Sequence, residues 1–216
     1  MIAPHPDDET LGCGGTLLRR RNEGAELGWL IVTGISTLDE WSEQRVAQRE
    51  NEILQIQQKY NFSKTFKLNK PSTRLEQIPT SELIQEIGKV FQDFRPEEVF
   101  LPHPADAHSD HRITFDAVSA CTKWFRYHSV KRVLAYETLS ETEFGLGTTN
   151  FFQPNFFVDI TDFLEAKLDA MSVYSSELGE FPFPRSIAAI RALAALRGTS
   201  AGYMAAEAFQ LLRERQ

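Results

Sequence analysis

Four of the five histidines in this 216-residue chain lie in two short segments that are crowded with carboxylates. The first segment reads HPDDE over residues 5–9, and the second reads HPADAHSDHR over residues 103–112. Imidazole and carboxylate groups bind first-row metal ions, and three such ligands with one open position are typical of catalytic zinc. The two segments together therefore predict a catalytic metal site.

Spacing within the segments indicates which side chains can act together. His5 and Asp8 are three residues apart, as are His108 and His111, so each pair shares one side of a helical turn. Asp7 points elsewhere and is free to act beside the metal. This mixed ligand set favours Zn²⁺, with Fe²⁺, Co²⁺ and Mn²⁺ as alternatives.

The rest of the chain predicts an α/β domain with a mostly parallel sheet, because short apolar runs alternate with longer amphipathic segments. The predicted strands are Leu27–Thr33, Thr65–Leu68, Glu98–Pro102, Arg132–Tyr136 and Phe156–Ile160. Helical spacing covers segments 40–60, 79–94 and 164–175. From Ser186 we expect two closing helices separated at Gly198–Gly202, which makes residues 1–216 one domain.

The second segment follows a predicted strand, at the carboxyl end where parallel α/β sheets bind ligands. The small residues Gly12–Gly15 would let the first helix pack closely on the sheet, but they do not match the dinucleotide fingerprint G-x-G-x-x-G. A nicotinamide site is therefore not expected. The polar stretch Ser140–Pro154 is a candidate border of the site.

Composition excludes several other classes of function. The formal net charge of -7 argues against non-specific nucleic-acid binding, which needs Lys and Arg to neutralise phosphates. No apolar run approaches the roughly 20 residues of a membrane-spanning helix, so no membrane insertion is expected. The two cysteines, Cys13 and Cys121, are far apart and predict reduced thiols in a cytoplasmic protein.

The two motifs resemble those of the LmbE-like (PIG-L-type) de-N-acetylase family. The resemblance rests on APHPDDETLGCGG over residues 3–15 and on HPADAHSDHR over residues 103–112. Arg49-x-x-Glu52 and the tail from Tyr174 to Phe209 are also similar, so the resemblance spans nearly the whole chain. Members of this family deacetylate N-acetylglucosamine on inositol, malate or chitooligosaccharide carriers.

The resemblance implies a Rossmann-like fold with helices on both faces of the sheet, and it implies roles for the motif residues. His5, Asp8 and His111 correspond to the metal ligands, and Asp7 to the general base. His108 corresponds to the residue beside the oxyanion.

Three further residues acquire expectations from the same resemblance. Asp110 would hold His108 in its charged form, and Arg49 would contact sugar hydroxyls. A tyrosine occupies the place of Asp106 in the inositol-sugar branch, so this chain departs from that branch and its substrate is less expected here.

We therefore predict a zinc-dependent hydrolase that removes the acetyl group from an N-acetylglucosamine-type conjugate and releases a free amine and acetate. Two alternatives stay open: a metal hydrolase of another amide or ester, and a non-catalytic carbohydrate- or metal-binding module. The predicted partner is a small N-acetylated sugar, and a homo-oligomer is kept as an option.

Three further residues have two alternative roles each. His103 either bonds the backbone or joins the site, and Glu9 either complements the helix dipole or acts in the site. Arg185 either anchors a loop or binds substrate.

Overall fold

Strands and helices alternate along most of the chain, which confirms the predicted α/β class. The computed structural model describes residues 1–147 and 150–216. In chain order the elements are β1 (Ile2–Ala3), α1 (Asp8–Asn22), β2 (Gly28–Gly34), α2 (Glu43–Tyr60), β3 (Lys64–Pro71), α3 (Thr80–Phe94), β4 (Glu98–Pro102), α4 (Ser109–Ala120), β5 (Arg132–Tyr136), β6 (Phe156–Asp159), α5 (Leu164–Met171), α6 (Ile187–Ala201) and β7 (Ala206–Glu214).

The strands form two sheets that meet where β1 and β4 lie side by side. The first sheet has the order β1-β2-β3 and is parallel throughout. The second has the order β4-β5-β7-β6, in which β4 and β5 are parallel and β7 runs antiparallel to both of its neighbours. The loops that follow the carboxyl ends of β1 and β4 therefore lie in neighbouring positions.

Helices cover both faces of the sheets, as the resemblance implied. Successive side chains of a strand point to opposite faces, so each strand contributes to two apolar cores. Leu30 of β2 belongs to the same buried cluster as Ile87 of α3. Its neighbour Trp29 belongs to a second cluster with Leu17 of α1 and Ile56 of α2.

The glycines of α1 allow that helix to approach the sheet, which confirms the expected close packing. A Cβ atom added at Gly12 would lie 2.3 Å from Cδ2 of the buried Tyr136. One added at Gly15 would lie 2.7 Å from Cβ of Ile160. Since α1 begins at the first histidine-rich motif, these contacts determine the distance between that motif and the sheet.

The predicted second closing helix is wrong, because the chain ends in the strand β7. Helix α6 continues through Gly198 and ends at Ala201, and the capping residue Gly202 has a φ of 78°, the left-handed conformation typical of a helix C-terminus. The sequence AEAFQLLRE has high helix propensity, but β7 gains ladder hydrogen bonds from both β5 and β6. Tertiary pairing outweighs the local preference.

Cys13 and Cys121 are both buried free thiols, as the sequence predicted. Within the part of the chain that the structure describes, no helix combines the length and apolar character needed to cross a membrane. The cytoplasmic location and the bounds of a single domain stay predictions.

We expect Gly12→Ala to lower the free energy of unfolding by about 2 kcal/mol. Alanine gains about 1 kcal/mol of helix propensity over glycine, but overpacking against Tyr136 costs about 3 kcal/mol. Urea denaturation measures the difference through the transition midpoint. Gly147→Ala is the control, since no atom of the described residues is found within 4 Å of a Cβ atom added there, and its midpoint should not fall. Equal midpoints for Gly12→Ala and the wild type would contradict the packing argument.

Candidate active site and metal centre

The two histidine-rich motifs converge at the carboxyl ends of β1 and β4. Asp7 occupies the N-cap position of α1, and His108 occupies that of α4, so both helices begin at the site. Both motifs line one pocket of about 300 Å³. This volume is at the lower limit of small-molecule sites.

His5, Asp8 and His111 form the predicted cluster of possible metal ligands. Each contributes one ligand atom, and the three atoms lie within 4.8 Å of one another. Oδ1 of Asp8 is 3.4 Å from Nε2 of His111, and Oδ2 of Asp8 is 3.4 Å from Nδ1 of His5. Two imidazoles and one carboxylate at this spacing fit a divalent metal ion.

A second set, His5 with His108 and Asp110, meets the same distance criterion. The carboxylate of Asp110 is already engaged, since it accepts hydrogen bonds from the backbone N–H groups of Thr73 (2.7 Å) and Leu75 (3.3 Å). The carboxylate of Asp8 has the two imidazoles and the N–H of His5 as its partners. Asp8 thus accepts one backbone N–H group where Asp110 accepts two, which favours the set of His5, Asp8 and His111 as the candidate metal ligands.

Each imidazole of this cluster carries a buried carboxylate on its other nitrogen. Nε2 of His5 lies 3.0 Å from Oδ2 of Asp110, and Nδ1 of His111 lies 2.8 Å from Oδ2 of Asp106. Carboxylates in this position fix the orientation of a metal-binding imidazole and increase its basicity. Sequence reasoning missed this role of Asp106, although its place inside the second motif was a signal.

The charges around the cluster favour a bound cation. Burial favours neutral imidazole, but hydrogen bonds to Asp110 and Asp8 outweigh it and raise the pKa of His5 to about 9. Burial also lowers the pKa of His111, but the neighbouring Asp8 and Asp106 outweigh burial and raise it. The protein without metal therefore holds protons at nitrogens where a metal ion would bind.

Asp7 is buried beside the metal ligands and has a strained backbone, with φ of 134°. A positive φ in a residue other than glycine costs roughly 1–3 kcal/mol and is concentrated at functional sites. Burial, together with the charges of Asp8 and Glu177, raises the pKa of the Asp7 carboxyl.

The fully buried Glu9 holds this conformation in place. Its carboxylate accepts the N–H of Asp7 (3.1 Å), the hydroxyl of Thr10 (2.6 Å) and the hydroxyl of Tyr174 (3.0 Å). Glu9 therefore does more than complement the dipole of α1, because it fixes the backbone of its neighbour.

His108 is half-buried, lines the same pocket, and its ring centroid lies 4.5 Å from that of His5. Its Nδ1 accepts the N–H of Asp110 (3.1 Å), which places the ring proton on Nε2. Burial and the charge of His5 lower the pKa of His108 to about 4. Oδ2 of Asp110 lies 4.0 Å from His108 and 3.0 Å from His5, so these contacts favour a neutral His108 rather than the expected charged form.

Arg49 lies in the pocket wall, but its guanidinium is occupied by protein groups. It donates to the carbonyl of Pro6 (2.8 Å) and to Glu177, and its Nε lies 3.3 Å from Glu52. The expected contact between Arg49 and sugar hydroxyls stays a prediction.

Glu177 and Arg185 also line the pocket. Both lie in the tail that resembles the family, but the spacing of residues did not link them to the two motifs. Nη1 of Arg185 lies 3.4 Å from Oδ2 of Asp7 and 3.5 Å from Oε2 of Glu177. Arg185 is therefore part of the site, where it faces the candidate base.

The remaining expectations concern His103 and the stretch 140–154. His103 is buried, and its Nδ1 accepts the N–H of Ala105 (3.3 Å), which confirms the backbone-bonding reading. Ser140 and Glu141 line the pocket, and Glu141 accepts the N–H of His108 (3.0 Å). Thr148 and Thr149 of this stretch lie outside the described residues.

The fold and the site define an α/β protein with a cluster of candidate metal ligands beside another buried carboxylate, Asp7. Residues 1–122 match the model of the PIG-L family, described as GlcNAc-PI de-N-acetylase. The match covers more than half of the chain, and the chain belongs to this family.

Known proteins are similar to this chain in sequence and in structure, and two of the three given below are named as deacetylases. The chain is 28% identical to the diacetylchitobiose deacetylase of Thermococcus kodakarensis over 222 residues, covering 98% of this chain and 81% of that protein. The conserved protein TT1542 of Thermus thermophilus has a TM-score of 0.78 at 26% identity, with 100% of this chain and 94% of the other covered. The N,N′-diacetylchitobiose deacetylase of Pyrococcus horikoshii has a TM-score of 0.77 at 25% identity, with 98% and 82% covered. These findings confirm the predicted enzyme class, an N-deacetylase among the hydrolases.

Asp106→Asn and Asp110→Asn should each weaken zinc binding by about 10- to 100-fold, because each removes the carboxylate that orients one ligand imidazole. Competition with a chromophoric chelator measures the affinity, and circular dichroism checks that the fold is retained. The control is Asp116→Asn, an exposed aspartate on the same helix α4, which should bind zinc like the wild type. Unchanged affinity in both buried variants would refute this assignment.

Zinc binding should release protons at pH 7–8, because the pKa of His5 is about 9 in the protein without metal. The apparent affinity then falls about tenfold or more for each unit that the pH is lowered below 9. Because this pKa is raised on folding, its stabilising effect on the metal-free protein is present below about pH 6.5 and lost as the pH rises through 9. Calorimetry in buffers of different ionisation enthalpy counts the protons. An affinity that does not change with pH would contradict the assignment.

Proposed function

We propose that this chain is a zinc-dependent hydrolase that removes the acetyl group from an N-acetylglucosamine-type conjugate and releases a free amine and acetate. One observation carries the proposal: the cluster of His5, Asp8 and His111 lies beside a buried carboxylate, Asp7, that the cluster does not need as a ligand. The diacetylchitobiose deacetylases that the chain resembles support an N-acetylated sugar as the substrate.

His5, Asp8 and His111 would hold the metal ion. Zinc, when bound, lowers the pKa of water from about 15.7 to around 7 and polarises the acetyl carbonyl. The same three ligands also suit Fe²⁺, Co²⁺ and Mn²⁺, which have similar preferences for imidazole and carboxylate groups.

Asp7 serves as the general base that takes the proton of the attacking water. Burial and neighbouring carboxylates raise its pKa, which brings a carboxylate closer to the pKa that suits proton transfer near neutral pH. Its strained backbone, held by Glu9, fixes the direction of the carboxylate. The proton then passes from Asp7 to the leaving amine.

His108 stabilises the carbonyl oxygen as negative charge develops on it. With Nδ1 occupied by the N–H of Asp110, the neutral ring donates from Nε2. Removing one such donor typically lowers the rate by about 10²- to 10³-fold. Asp110 acts as a positioning residue for both His108 and His5.

The proposed substrate is a small N-acetylated sugar that enters the pocket past Arg49 and Arg185. Arg49 keeps its proposed role at the sugar hydroxyls, since it lines the wall next to Pro6 and Asp7. Residues 1–216 would act as one domain.

We expect zinc to restore acetate release from at least one N-acetylglucosamine conjugate when it is added to chelated protein. Asp7→Asn should still bind zinc but turn over about 10²- to 10⁴-fold more slowly, since general-base help is worth that much. Asp116→Asn is again the control and should keep wild-type activity.

Acetate assays and zinc-binding assays on the same samples separate the possible outcomes. Full activity of Asp7→Asn would contradict the proposed role of Asp7 as the general base. No release with any of the four metals, despite tight metal binding, would favour the non-catalytic binding module.

A further inference from the structure

The segment that follows β5 is hydrogen-bonded to the second histidine-rich motif just before α4 begins. The backbone carbonyl of Glu141 accepts the N–H of Ala107 (3.1 Å). The side-chain carboxylate of the same residue accepts the N–H of His108 (3.0 Å). Glu141 therefore holds two successive peptide groups of the motif, one with its backbone and one with its side chain.

The hydroxyl of Thr142 completes the hydrogen bonding of Asp106. It donates to Oδ1 of Asp106 (2.7 Å), and it accepts the backbone N–H of Thr138 (2.8 Å). Oδ2 of the same carboxylate lies 2.8 Å from Nδ1 of His111. A hydroxyl has one proton to donate, and the N–H of Thr138 occupies a lone pair, so that proton is directed at Asp106.

Burial makes the contact between Thr142 and Asp106 costly to lose. Asp106 is 0% exposed, so a carboxylate oxygen without a protein donor has no ready replacement in solvent. If Oδ1 lost its donor, the carboxylate would turn toward other donors, and Oδ2 would move away from His111. Thr142 therefore acts on a candidate metal ligand through one intervening carboxylate.

The backbone around these two residues is itself constrained. Ser140 has a φ of 76°, in the left-handed region that is unfavourable for residues other than glycine, and its N–H is bonded to Glu143 (2.6 Å). A Cβ atom added to Gly145 would collide with the carbonyl oxygen of Ala105 in the motif. Strained conformations persist where the surrounding structure holds them, and they are concentrated at functional sites.

We propose that Thr142 and Glu141 are positioning residues of the active site and act on two different groups. Thr142 orients the metal ligand His111 through its hydrogen bond to Asp106. Glu141 holds the backbone of His108, and with it the ring that donates to the acetyl oxygen. The inference rests on the proposed function, since it takes His111 as a metal ligand and His108 as that donor.

A purely structural role of the segment makes a different prediction. Loss of either side chain would then lower the free energy of unfolding and leave zinc affinity, turnover and the environment of the histidine rings unchanged. Urea denaturation of every variant records the effect on stability separately.

Chelator competition with the full chain and zinc tests the role of Thr142. Thr142→Val should weaken zinc binding about three- to tenfold, less than Asp106→Asn, because the hydroxyl lies one step further from the metal. Thr142→Ala removes the same hydroxyl without adding a methyl group and should agree, whereas Thr142→Ser keeps the hydroxyl and should bind like the wild type. The control is Thr199→Val, an exposed threonine of α6 whose hydroxyl donates to the carbonyl of Leu196 (2.7 Å).

A double-variant cycle shows whether Thr142 acts through Asp106. In the Asp106→Asn background, Thr142→Val should cause no further loss of zinc affinity, because the carboxylate that it orients is already gone. An equal loss in both backgrounds would overturn this route. Wild-type or tighter affinity in Thr142→Val and Thr142→Ala would overturn it as well.

Steady-state kinetics at saturating zinc with N,N′-diacetylchitobiose test the role of Glu141. Glu141→Ala should lower kcat about tenfold and leave KM unchanged, because a displaced His108 is missed in the transition state rather than in substrate binding. Glu141→Gln should restore most of kcat, since its amide oxygen still accepts the N–H of His108. Glu26→Ala, which removes an exposed glutamate away from the pocket, is the control.

Two kinetic results overturn the positioning role of Glu141. A loss in Glu141→Gln as large as that in Glu141→Ala would place the negative charge itself in the reaction. A higher KM with unchanged kcat in Glu141→Ala would place the side chain on the substrate instead.

The chain has only five histidines, which allows a readout that needs no reaction. In zinc-loaded protein with ¹⁵N-labelled histidine, Glu141→Ala should shift the ring signals of His108, and Thr142→Val those of His111. The signals of the exposed His128 should stay in place in both variants. If no sugar releases acetate, these shifts still support the positioning roles although the reaction is wrong, and unmoved signals of both rings overturn them.

Discussion

Four aspartates surround two imidazoles at this site, and the need to balance their charge constrains the structure around them. Asp7, Asp8, Asp106 and Asp110 are each at most 4% exposed. Ionised carboxylates out of water are stable only when positive charge or hydrogen bonds compensate them. Without a metal ion, the compensating positive charge comes from protons on His5 and His111. A bound divalent cation would displace those protons and supply the positive charge itself.

The helix that carries the first motif is fixed by an ion pair remote from the metal. Glu207 of β7 accepts the N–H groups of Gly15 (2.9 Å) and Thr16 (2.7 Å) within α1, and it pairs with the buried Lys167 (2.6 Å). Lys167 also donates to the carbonyl of Leu11 (2.9 Å). The last strand of the chain thus holds the helix that begins at Asp7, and the glycines of α1 leave room for this contact.

On the other side of the pocket, Glu177 joins three arginines from two parts of the chain. Arg45 and Arg49 belong to α2, whereas Arg185 follows α5. This network places a cation beside Asp7 while keeping the wall close to neutral. Asp7, the proposed base, therefore lies between the acidic cluster and a wall whose charges are paired, which is consistent with the proposed uncharged sugar substrate.

The sequence by itself determined which residue types meet at the site and the alternation of elements. The two motifs named His5, Asp8, His111 and Asp7, because motif residues are few, local in sequence and required by type. Only the tertiary structure decided which carboxylate contacts which imidazole. Asp106 is within hydrogen-bond distance of His111, and the side chain of Asp110 is within hydrogen-bond distance of the ring of His5 rather than of His108. It also decided that residues 206–214 form a strand, and that Arg185 faces Asp7 across 178 residues of chain. Local spacing in the sequence predicts secondary structure and ligand type. The pairings depend instead on contacts between segments that are distant in the chain. The energies of these contacts exceed local propensity, and the contacts leave no periodic pattern in the sequence.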